Sequence, residues 1–106
     1  MGEMSMTDSE LNEAVARKLG WTYHEDTKPV CWQVPESGTY LREPWDYCHS
    51  IEAAWEIVGN HDICIKNYRG VWNCVLTKLV DGRWVNAEVE ADTVPMAICL
   101  AFLKLP

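Results

Sequence analysis

The sequence predicts an α+β fold in the order helix, loop, helix, three antiparallel strands, helix. Three observations carry the prediction: a capped helix start at Thr7, two tight-turn dipeptides within residues 63–91, and an unbroken apolar run at the C-terminal end. With 106 residues, 48% of them hydrophobic, the chain has material for one core and too little for two. Residues 1–106 therefore form one domain, with an aromatic-rich loop insert at 21–47.

The first helix begins at Thr7-Asp8-Ser9-Glu10, where a hydroxyl can accept from the third backbone N–H and a glutamate can reach back. Leu11, Ala14, Val15, Lys18 and Leu19 follow at helical spacing, and Gly20 supplies a left-handed stop that lets Trp21 fold onto the last turn. From Trp21 to Tyr47, Pro29, Pro35, Gly38 and Pro44 break every period, so the segment reads as loop with at most short strands such as Val30 to Val34. It nevertheless carries Trp21, Tyr23, Trp32, Tyr40, Trp45 and Tyr47. Disordered linkers are poor in aromatics, so this loop packs onto something.

A second helix runs from about Ser50 to Val58, with Ser50 as N-cap, Ile51, Ala54, Trp55 and Val58 as its packed face, and Gly59-Asn60 as its end. Next, Asp81-Gly82 and Arg69-Gly70 mark two-residue reversals. Counting outward from both turns sets Ile63 and Ala87 beside Leu76, Ile65 and Val89 beside Cys74, and Trp72 beside Ala91. Two independently chosen turns thus agree on one apolar face, with Trp72 in the core as well as Trp55. The opposite face is mixed: Lys66, Asn73 and Glu90 form one row, and Cys64, Val75 and Glu88 another, with Val71, Leu79 and Trp84 beyond them. The last helix starts near Thr93, tolerates Pro95 in its first turn, and is apolar all round. Such a helix is either central or buries Met96, Leu100 and Leu103 on a second copy, which points to a homo-oligomer.

Sixteen acidic residues against nine basic ones give a net charge of −7, which repels polyanions and argues against nucleic acid as a partner. No apolar run approaches a membrane span, and the opening Met1 to Leu11 is polar rather than signal-like, so a cytosolic protein is expected. The five cysteines read as reduced thiols, largely in the core.

Leu11-Asn12 through Gly20-Trp21, then Asp46-Tyr47 ahead of Ile51-Glu52-Ala53-Ala54-Trp55-Glu56-Ile57-Val58, then Thr93-Val94-Pro95-Met96-Ala97-Ile98-Cys99-Leu100-Ala101 resemble the motifs of the phage ABA-sandwich domain proteins, and the likeness spans nearly the whole chain. The resemblance implies a three-layer α/β/α sandwich, a phage origin and hence the host cytoplasm, and little about activity. The sequence departs from the pattern in its extra loop aromatics, at Leu100, where a polar or basic residue is usual, and at Cys48-His49, where small hydroxylated residues are usual. The last departure weakens the expectation of an ordinary helix cap.

No ligand-spaced Cys or His motif, nucleophile elbow or glycine-rich phosphate loop occurs, so neither a metal nor another cofactor is expected and enzyme is the minority reading. Cys48 beside His49 invites a thiolate–base pair, but adjacent residues rarely face one another. The candidate binding residues are Trp32, Tyr40, Arg42, Trp45, Tyr47 and His49: rings on which a flat base stacks, a guanidinium for phosphate, and a histidine at a helix entrance. For any single ring, core packing competes with this role. The function expected is binding, most simply sequestration of a small nucleotide-derived host immune signal, with a protein-interaction module directed at a host or phage protein as the alternative and a signal-degrading hydrolase after that.

Overall fold

The computed structural model describes residues 6–59 and 61–106, which gather into two compact units, Met1–Trp45 and Asp46–Pro106. The described residues form three helices and two antiparallel three-stranded sheets, an α+β fold consistent with an ABA sandwich. The expectation of a polar opening at Met1 to Leu11 falls partly, at residues 1–5, outside the described residues.

In the first unit, α1 (Asp8–Leu19) starts with the expected capping box. Thr7 Oγ1 accepts from Glu10 N at 3.1 Å, and Thr7 N donates to Glu10 Oε1 at 2.9 Å. The Thr7 N–H on the charged carboxylate, and after it the Thr7 hydroxyl, holds the Glu10 pKa below its ordinary value. Gly20, at φ +100°, ends the helix in the left-handed region, and Trp21 N donates back to Ala16 O. The segment beyond is more ordered than a loop: β1 (Thr22–His24), β2 (Cys31–Gln33) and β3 (Tyr40–Leu41) form a small sheet in the order β1-β2-β3. Strands of two or three residues are too short to show a period, which is why only the middle one was legible.

In the second unit, Ser50 caps α2 (Ile51–Val58) in the ordinary way, its Oγ accepting from Ala53 N at 3.2 Å, so Cys48-His49 does not disturb the cap. Of the expected stop, Gly59 adopts φ +41°, while Asn60 lies outside the described residues. The packed face of α2 is Ala54, Ile57 and Val58. Ile51 is exposed and Trp55 is 52% exposed, which corrects the reading of both as packing residues.

The meander β4 (Asp62–Tyr68), β5 (Val71–Val80), β6 (Arg83–Ala91) has the register counted from its turns: Ile63↔Leu76, Ile65↔Cys74, Leu76↔Ala87, Cys74↔Val89 and Trp72↔Ala91. Both turns have positive φ at both central residues, Arg69-Gly70 (55°, 87°) and Asp81-Gly82 (50°, 79°), the geometry that matches strand twist. Cys74, Leu76 and Ala87 are buried, Trp72 only half-buried. Against β5 and β6 lies α3 (Val94–Lys104), capped by Thr93 with Pro95 in its first turn, and α2 packs on α3. α3 is packed on more than one side, between the sheet and α2. Ala97, Ile98, Cys99, Ala101 and Phe102 are buried, and Met96, Leu100 and Leu103 are half-buried.

Candidate functional site

Alternation along the small sheet of the first unit divides its rings between two faces. Tyr23, Trp32 and Leu41 are cross-strand partners on one face, where Tyr23 and Trp32 meet at 4.8 Å between centroids. The Arg17 guanidinium of α1 lies 5.0 Å from the Trp32 ring centroid and 5.7 Å from that of Tyr23, a cation–π lid over the pair. On the other face stand Thr22, His24, Gln33 and Tyr40. His24 Nε2 lies 3.0 Å from Gln33 Oε1, and its ring lies 5.6 Å from that of Tyr40, which is 58% exposed. This outward face offers a ring for stacking beside an amide and an imidazole for hydrogen bonding.

The single wall expected from the sequence is therefore split. Trp32, 2% exposed, supports the sheet from within, while Tyr40 faces out. Arg42 is exposed, and Trp45 is exposed with its ring edge-on to Trp21 at 5.4 Å. Arg17, His24 and Gln33 were missed as members of this cluster. The missing signal was the pairing of three very short strands, which alone brings His24 to Gln33 and Tyr40.

Tyr47 and His49 belong to the second unit, in the turn that enters α2. Tyr47 is buried at 1% exposure, so its ring serves packing. His49 is exposed, with Nδ1 3.1 Å from both carboxylate oxygens of Asp46 and 3.9 Å from Cys48 Sγ. A nucleophile–base–acid relay needs the carboxylate on one ring nitrogen and the thiol on the other. Here Nδ1 faces both, and Cys48 is fully buried, so this turn is not arranged for thiolate catalysis. Burial, followed by the nearby Cys48 and Asp46, pushes the Cys99 thiol up to about 12. Along α2 the exposed Ile51 and Trp55 form, with Glu52 and Glu56, an open groove of about 520 Å³.

Among the described residues, no helix is long and apolar enough to cross a membrane. No functionally curated protein matches the chain. Among solved structures, a phage protein from Bacillus cereus ATCC 14579, determined at 2.0 Å, shares 25% identity and superposes with a TM-score of 0.68, covering 97% of this chain and 95% of that one. The profile of the phage ABA sandwich domain matches residues 13–103, the stretch that runs from α1 through both sheets to the end of α3. The chain therefore belongs to the phage ABA sandwich domain family.

Proposed function

We propose that this phage-family protein acts by binding rather than by catalysis, as a counter-defence factor in the host cytoplasm whose ligand is a small nucleotide-derived immune signal. The observation that supports it is the outward face of the first unit's sheet. There Tyr40 presents a free ring edge beside the His24–Gln33 pair, and the chain just beyond supplies the exposed Arg42 and Trp45. Stacking on such rings contributes about 1–3 kcal/mol per base, and a guanidinium adds phosphate recognition. Titration calorimetry with cyclic dinucleotides and NAD-derived signals is the test. Binding is expected to weaken about tenfold or more in Tyr40→Ala and in Arg42→Ala, with no product formed on incubation. Silence across the panel counts against the reading, and product formation replaces it with the hydrolase.

A second reading, an interaction module, is favoured by α2, whose Ile51 and Trp55 are exposed beside two carboxylates. A protein partner engaging that helix is expected to be released by Trp55→Ala and to leave ligand titrations unaffected.

A further inference from the structure

The face of the β4-β5-β6 sheet turned away from α3 is open, and we propose that it is a two-fold interface on which a second copy of this chain stacks. Tyr68, Leu79 and Trp84, three of the large apolar side chains most exposed on the molecule, all stand on this face, with Trp84 64% exposed. Down β5 on this face Val71, Val75 and Leu79 alternate with Asn73 and Thr77, so the central strand is apolar at every second outward position.

Charge decides the arrangement. The face carries the rows Cys64–Val75–Glu88 and Lys66–Asn73–Glu90, each running from β4 across β5 to β6. Lys66 and Glu90 are two strands apart, about 10 Å between backbones, on either side of Asn73. Neither has an ion pair among the described residues. A two-fold axis running along β5 between the stacked sheets lays β4 of each copy over β6 of the other. Lys66 then meets Glu90 of the second copy twice over, Asp62 meets Asn86, Cys64 meets Glu88, and Val71, Asn73, Val75, Thr77 and Leu79 meet themselves along the axis. Glu88 enters already bonded, since Asn73 Nδ2 donates to its Oε2 at 2.9 Å. A crosswise two-fold through the central Cys64–Val75–Glu88 row instead sets Glu88 against Glu88, and one through the next row sets Lys66 on Lys66 and Glu90 on Glu90, so repulsion favours the lengthwise axis. Sheets stacked near-parallel in this way are a common packing, and an isologous contact needs just such self-complementarity.

Three strands about 4.8 Å apart and some 30 Å long cover, over both copies, on the order of 1,000 Å², the lower bound for a stable interface. The dimer is thus of modest affinity, and salt weakens it.

This inference is independent of the ligand proposed above. Sedimentation equilibrium at high micromolar concentration is expected to give twice the 12.1 kDa chain mass. Lys66→Glu and Glu90→Lys are each expected to weaken association about tenfold, and the double charge swap to restore it, which a merely destabilised fold does not do. Leu79→Lys should give a monomer with an unchanged circular-dichroism spectrum. A monomeric wild type overturns the proposal, as does a dimer indifferent to these changes but broken by Leu100→Lys, which would place the contact on α3.

Discussion

Ile57 and Trp55 stand two positions apart on α2, and the smaller one carries the packing: Ile57 is 2% exposed and Trp55 52%. Ile57 joins Ala54 and Val58 in the stripe that meets α3, whereas Trp55 lies over the groove with Ile51. Ile57→Ala removes buried methylenes and is expected to cost about 3 kcal/mol, while Trp55→Ala should cost under about 1 kcal/mol despite the larger deletion. Urea midpoints of the two variants check this. Helical spacing alone allowed either stripe, because 51/54/55/58 and 54/57/58 share two residues. The sequence could not say on which side of α2 the neighbouring helix would lie. The same limit applies in the candidate site, where Trp32 and Tyr40 are one strand apart yet face opposite ways. Their residue types were legible as ring-rich, and their directions were not.

At the scale of elements, local chemistry decides most. The capping box, the left-handed Gly20 and both two-residue turns act over three or four residues, so they stand in the sequence as plainly as in the structure. The turns in turn fix a register of sixteen paired positions across β4, β5 and β6. Gly82, at φ +79° with nothing within 4 Å of where a Cβ would sit, is constrained by backbone conformation and not by space. Gly82→Val should therefore cost about 1–2 kcal/mol through strain alone. Thermal unfolding checks it, with Arg83→Val, next in the chain and on the strand, expected to change stability far less. The small sheet of the first unit escaped the sequence for the opposite reason. Its three strands are held by pairing and by the Tyr23–Trp32–Arg17 stack, contacts between residues up to 15 apart.

Over the whole molecule, buried thiols contribute to the fall of stability at alkaline pH. Burial raises Cys74 to about 11 and Cys99 to about 12 from an ordinary 9. In the unfolded chain both ionise from about pH 9, and in the folded chain they stay neutral. Their contribution is therefore complete below pH 9 and is lost as pH rises through 11 to 12, a fall of order a few kcal/mol. Denaturant titrations between pH 8 and 10.5 should show that decline, and Cys99→Ala should flatten it. The Lys104 ammonium at the close of α3 donates to Glu88 O of the outermost strand β6 at 3.2 Å. A cation seated on that rim deters a stray β-segment from zipping on laterally. Lateral growth into fibres is thereby discouraged on that side of the sheet.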